Sequence, residues 1–254
     1  MLQFFLSLIS AIFIGGVAGY LGSLMLSKKM TIVIDPLSHL ALPGVALALI
    51  FQKDISLGAF LFLFLGSILI WFFEQKTKLP TETIIAILFT ISLAITFLFL
   101  SEHEIEEALV GNISKIGKVE SLIIVLVSIF VFFLIKKIYP KLTLISISED
   151  LAMAEKIDLK KYQFLYILSI SAIVAMGVKF VGGLLVAGLT VLPAASARNL
   201  SKNLKTFKLL SSLFGILSAI LGIFLFQLTN FPAGPLIVIS GFLIFLISII
   251  LKKT

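Results

Sequence analysis

Apolar residues in this chain arrive in long blocks, separated by short clusters of lysine, glycine and proline. The blocks run at about 3–26, 31–51, 55–74, 82–100, 120–138, 162–180, 181–197, 206–228 and 233–251. Most are close to the roughly 20 residues that carry a helix across about 30 Å of hydrocarbon. Hydrocarbon offers no hydrogen-bond partners, so each block must close its backbone bonds within itself, as a helix. The pattern predicts an all-α, polytopic transmembrane bundle of about eight or nine spans, forming a single membrane domain over residues 1–254. Segment 181–197 stands apart. It is short, opens Val181-Gly182-Gly183 and holds Pro193, so it reads either as a ninth span or as a re-entrant, broken helix lining a cavity.

Composition agrees with the pattern. Of 254 residues, 60% are hydrophobic and 13% charged, against roughly 25% charged in a soluble domain. Mean hydropathy is +1.21. So few charges cannot cover the surface of a soluble protein of this size. The absence of cysteine excludes disulfides, thiolate metal sites and cysteine nucleophiles. The start, Met-Leu-Gln-Phe-Phe, has neither a basic region nor a small-residue cleavage site, and reads as a retained first span.

A formal charge of +7 raises the question of nucleic acid, but the lysines flank apolar blocks and form no basic face. Orientation in the membrane accounts for them better. With the N-terminus outside and nine alternating segments, sixteen of the twenty basic residues fall inside, in 28–29, 76–78, 136–161, 198–208 and 252–253. Lys53, Lys115, Lys118 and Lys179 fall outside. That bias predicts an N-out, C-in arrangement. Arg198, the only arginine, follows a span directly and is accounted for as an inside anchor.

Two connections are long. The outer one, 101–119, is acidic and contains His103; a solvated charge run is its simplest reading. The inner one, 139–161, contains Pro140 and then a stretch predicted to form a short helix over about 148–157. Ser148 is placed to cap it, and Glu149 and Asp150 suit a helix N-terminus. Small residues Ala152 and Ala154 would permit close approach to a partner, with Leu151, Met153 and Ile157 supplying apolar contact. The same stretch also reads as a plain connector between two spans.

The chemistry concentrates in Asp35-Pro36-Leu37-Ser38-His39, followed by Pro43-Gly44. Asp35 and His39 are four apart and share one helix face. A carboxylate with an imidazole suits a borderline divalent metal such as zinc, manganese or iron. Ionisable groups inside a span face a cavity or pathway, and Pro43-Gly44 would loosen the helix just beyond the pair. Spacing alone leaves a second reading open, with Asp35 at the water interface and His39 an ordinary packing residue.

The run Leu21-Gly22-Ser23, Lys28-Lys29, then Asp35-x-x-Ser38-His39-x-x-x-Pro43-Gly44-Val45-Ala46 resembles the start of the zinc/manganese/iron ABC permease family. Gly183–Arg198, ending Pro193-Ala194-Ala195-Ser196-Ala197-Arg198, resembles that family's apolar run and Pro-Ala-Ala-small-Ala-Arg pattern. Asn230-Phe231-Pro232-Ala233-Gly234-Pro235 resembles its late Asp-Leu-Pro-x-Gly turn, and 150–157 its cytoplasmic segment. The matches run in order along nearly the whole chain. The resemblance implies a permease dimer, cytosolic ABC ATPase subunits, and an extracytoplasmic metal-binding protein that delivers the ion. It implies that Asp35 and His39 line an intramembrane metal path, with Ser38, Pro43, Gly44, Thr190, Pro193 and Asn230 as possible path or gate residues. It makes Asp150, Leu151, Ala152, Met153, Ala154 and Ile157 the ATPase-coupling helix. The metal is cargo, with no cofactor bound permanently. There are two departures: Asn230 stands where the family often has aspartate, and Lys156 where glycine is usual.

No G-x-x-x-x-G-K-[ST] phosphate loop is present, so any ATP hydrolysis belongs to a partner. An ion-gradient-driven carrier is the competing transport reading, and no inverted repeat of broken spans supports it. An intramembrane metalloenzyme would need a water-activating site, yet the chain has no H-E-x-x-H and only two histidines.

Overall fold

The computed structural model describes residues 2–77, 79–99 and 117–252, and every regular element among them is helical. In chain order these are α1 (Leu2–Ser27), α2 (Ile34–His39), α3 (Leu42–Ile50), α4 (Ile55–Thr77), α5 (Thr81–Phe99), α6 (Lys118–Ile147), α7 (Glu149–Ala154), α8 (Leu159–Phe180), α9 (Val186–Leu200), α10 (Leu204–Thr229) and α11 (Ala233–Ile250). Single 3₁₀ turns at Thr31–Val33 and Gly183–Leu185 lead into α2 and α9. Among the described residues, eight stretches are long and apolar enough to cross a bilayer, and Thr31–Ile50, which holds α2 and α3, is one of them. His103 and most of the acidic connection lie outside the described residues.

Segment 181–197 is a turn, a 3₁₀ step and the 15-residue α9. At 1.5 Å per residue α9 is about 22 Å long, too short to count among the eight. It nevertheless carries the chain back along the bundle. Gly182, at φ 97°, reverses the direction after α8, and Val186 then packs on Gly177. At the far end the Arg198 guanidinium lies 5.7 Å over the Phe207 ring of α10. Beside it the Asn199 amide donates to Ser248 Oγ of α11 at 3.0 Å. The stretch from α8 to α9 is thus a paired excursion that returns to the end it left.

Most lysines collect at that end. Lys28, just after α1, donates to Gln163 near the start of α8. Lys208, near the start of α10, sits 4.1 Å from the centre of the Tyr139 ring on α6. Glu74 at the end of α4 accepts from Thr81 at the start of α5. These bonds gather one end of every long helix into a single basic face.

α6 corrects one boundary. The expected break near Pro140 is absent, and the helix runs for 30 residues, about 45 Å. Pro140 removes the bond to the Lys136 carbonyl four residues back. Lys136, Lys137, Pro140 and Lys141 are all exposed, so water beyond the hydrocarbon can satisfy that carbonyl. The last third of α6, beyond this exposed lysine cluster, leads through Ser148 into α7.

α1 is the hub and packs on α6, α8, α9 and α10. Its glycines bring backbones into direct contact. A Cβ on Gly19 would lie 2.1 Å from the Ser211 carbonyl oxygen, and one on Gly22 would lie 2.1 Å from that of Thr190. A Cβ on Gly215 would lie 2.0 Å from the Gly15 carbonyl oxygen. Close approach through small residues is how helices associate where lipid supplies no hydrophobic drive. On the other flank α8 packs on α4, and α3 packs on α4 and α5.

Candidate metal path

The second span is where regular structure fails. α2 ends at His39, and the next N–H groups tighten. Leu40 bonds Leu37 O at 3.2 Å and Ala41 bonds Ser38 O at 3.2 Å, both 3₁₀-type bonds. α3 then starts afresh at Leu42 with Pro43 in its first turn, where a missing N–H costs nothing. Pro43 has no N–H to give the His39 carbonyl four residues back. The break therefore falls at residues 40–41, directly after His39 and just ahead of Pro43. Gly44 does not loosen the helix. Its missing Cβ would lie 2.2 Å from the Gly58 carbonyl oxygen, so it seats α3 against α4.

Asp35 and His39 lie one turn apart on α2 and are both half-buried, and Asp35 acts electrostatically on His39. The imidazole packs against the Phe89 ring of α5 at 5.4 Å between centres. Its Nδ1 is buried and has no hydrogen-bond partner, which is costly for a neutral ring and is relieved by a ligand. Phe89 is eight residues along α5 from Thr81, about 12 Å at 1.5 Å per residue. His39 therefore lies about two turns along α5 from its start at the basic end, with Asp35 one turn nearer that end.

The other expected path residues are dispersed. Ser38 is fully buried and donates to Asp35 O at 2.7 Å, a bond within its own helix. Thr190 is buried and donates to Val186 O at 3.1 Å, and its backbone lies on Gly22 of α1. Pro193 is buried inside α9. Asn230 is exposed and caps α10 in the left-handed region, at φ 57°. Asparagine tolerates that conformation better than most residues, so Asn230 suits a helix cap here. Among the described residues no cluster of three or more His, Cys, Asp or Glu is poised for a metal.

α7 forms as expected but shorter, over Glu149–Ala154. Ser148 Oγ accepts from the Leu151 N–H at 3.2 Å. Ala152 differs from expectation: it is fully buried and seats α7 on its own protein. Ile157 is half-buried and packs against the core. Outward remain Asp150, Leu151, Met153 and Ala154, with Leu151 51% and Met153 53% exposed. The helix ends because Lys156 takes φ 56°, the left-handed conformation that glycine adopts most readily.

Sequence reasoning missed a polar chain at the basic end. The Lys28 ammonium donates to Gln163 Oε1 at 3.4 Å, and Gln163 Nε2 donates to Thr81 Oγ1 at 3.2 Å. The Thr81 hydroxyl donates to Glu74 Oε1 at 2.6 Å. Burial pushes Lys28 below the usual lysine value, while Glu149 and then Glu74 hold it up. A polar cavity of about 830 Å³ opens here, and a second of about 550 Å³ lies on the other side of α7. Neither includes Asp35 or His39 in its walls. Lys28 beside an apolar block reads as an orientation signal, and nothing in the spacing links it to Glu74 or Gln163.

The bundle thus has a second span broken after His39 and a short capped helix at its basic end. The chain matches the ABC 3 transport family over residues 2–252 and belongs to that family. It is 33% identical over 246 residues to the manganese import system permease protein ScaB of Streptococcus gordonii, covering 95% of this chain and 88% of that one. It is 26% identical to the manganese transport system membrane protein MntC of Listeria monocytogenes, with the same coverage. Among solved structures it is similar to PsaBC from Streptococcus pneumoniae in complex with Fab. There the TM-score is 0.81 and the identity 30%, covering 95% of this chain and 89% of that one.

Proposed function

We propose that this chain is the membrane permease of an ATP-driven importer for a divalent transition metal, with manganese the first ion to test. Family membership and the manganese permeases it is similar to support the class and the cargo. The observation that carries the site is local: Asp35 and His39 share one turn of a span that breaks directly after them, and His39 Nδ1 is buried without a partner. A second copy of the chain across an axis would double these ligands, and water or further oxygens would complete the shell. The basic end faces the cytoplasm, since lysine resists translocation, and the first residues lie outside.

In this reading an extracytoplasmic binding protein delivers the ion to His39 and Asp35. Cytosolic ATPase subunits dock on the outward face of α7, at Leu151 and Met153. Because Ala152 locks α7 to the end of α6, movement of α7 pulls on the bundle and changes which side the path faces. The test is uptake of radiolabelled manganese in cells lacking their own importer. The chain, its ATPase and its binding protein should restore uptake, and His39→Ala should abolish it without loss of the assembled complex. Undiminished uptake by that variant would refute the site. Single cysteines at 145 and 203 should both resist a membrane-impermeant thiol reagent in intact cells; labelling of either one would overturn the orientation.

A further inference from the structure

Lys28 is the charged group that the metal path leaves unused. It follows α1 directly and precedes the broken span, and its ammonium is surrounded by other helices. Gln163 of α8 accepts from it at 3.4 Å, and the Tyr166 ring lies 5.1 Å from it. Glu74 of α4 and Glu149 of α7 both act on it electrostatically. The 830 Å³ cavity has Lys28, Glu74, Thr81, Glu149, Lys160 and Gln163 in its walls and reaches Met30, five residues before Asp35. Glu74 is fixed by one oxygen, which Thr81 holds at 2.6 Å. Its other oxygen, Oε2, is buried and has no hydrogen-bond partner. The Lys28 ammonium thus shares one cavity with Glu74, Glu82 and Glu149, and with Lys29 and Lys160, and its hydrogen bond goes to the neutral Gln163.

We propose that Lys28 is a gate residue of the ion path, its ammonium occupying the vestibule between Asp35 and the basic end and swinging aside when a divalent cation leaves. This rests on the metal-path reading above. A fixed positive charge in a partly desolvated vestibule repels a doubly charged ion far more strongly than it would in water. The lysine stem is flexible and its head carries three rotatable donors, so the ammonium can leave Gln163 without any helix moving. Glu74 Oε2 is a ready acceptor on one side. Glu149 is the other, and it opens α7, so a shift of α7 alters which carboxylate draws Lys28. The barrier is one of charge, and a neutral solute does not feel it.

The test uses the complete transporter in liposomes loaded with manganese and sucrose, without ATP. Lys28→Met keeps most of the stem and removes the charge. It should raise manganese efflux by about tenfold while sucrose stays trapped, and Lys28→Arg should restore the low leak. Should Lys28→Met fail to assemble, Gln163→Met decides by the same readout, because it frees Lys28 from its position. A tight vesicle with the assembled variant overturns the gate. So does equal release of manganese and sucrose, which marks a packing defect. Wild-type complex that takes up no manganese with ATP would instead sink the metal reading, a result independent of the leak.

Discussion

The two flanks of α1 are built on different principles. On one side α1, α9 and α10 touch backbone to backbone through Gly15, Gly19, Gly22 and Gly215. Such contacts have no slack, because a carbonyl oxygen about 2 Å from a notional Cβ cannot move away cheaply. On the other side α3 and α4 also meet backbone to backbone, at Gly44 and Gly58, but around them lie a second span broken at 40–41, a cavity of about 830 Å³, and a chain of long polar side chains crossing α4, α5 and α8. The difference separates a scaffold held mainly by backbone contact from a flank held more by flexible side chains and left partly hollow, the flank that carries the ion under the proposed function.

The largest effect expected from testing this contrast is on the scaffold side. Gly19→Leu should leave almost no folded protein, since overpacking at a backbone contact costs about 3 kcal/mol or more. Detergent-solubilised yield and melting temperature report it. His39→Ala should do the reverse. Loss of a metal ligand should exceed the about 10–100-fold cost of losing an outer-shell partner, so uptake vanishes. Stability should fall far less than for Gly19→Leu, since His39 is half-buried and its imidazole loses the contact with Phe89 while Nδ1 gives up no hydrogen bond. A melting temperature that falls as far as that of Gly19→Leu would make His39 a packing residue after all.

Smaller effects divide α7 into two faces. Leu151→Asp, on the outward face, should uncouple ATP hydrolysis from transport with the subunit still assembled. Ala152→Leu, on the inward face, should instead destabilise the α6–α7 junction by about 1–3 kcal/mol, seen as faster proteolysis there. If the two variants behave alike, the division is wrong. The smallest effect belongs to Lys156→Gly, which relieves a left-handed lysine and should stabilise α7 by about 0.5–1 kcal/mol. Amide exchange of α7 would register it, with no change in transport.

What the chain's order of residues determined by itself is everything that depends on local chemistry. Apolar runs of about 20 residues dictate helices, since lipid leaves the backbone no other partner. Lysine placement picks out the basic face, Ser148 announces the start of α7, and Asp35 with His39 must share a face at a spacing of four. Tertiary structure decided whatever depends on which helices meet. Pro140 stays inside a helix because its freed carbonyl lies beyond the hydrocarbon, and Ala152 faces inward because α6 and α8 pack behind it. Asn230 and Lys156 are backbone caps whose left-handed φ no spacing reveals. The chain from Lys28 to Glu74 joins residues up to 135 positions apart. Its members come together only because α8 packs between α1 and α4, an arrangement of whole helices that the pattern along one of them does not contain.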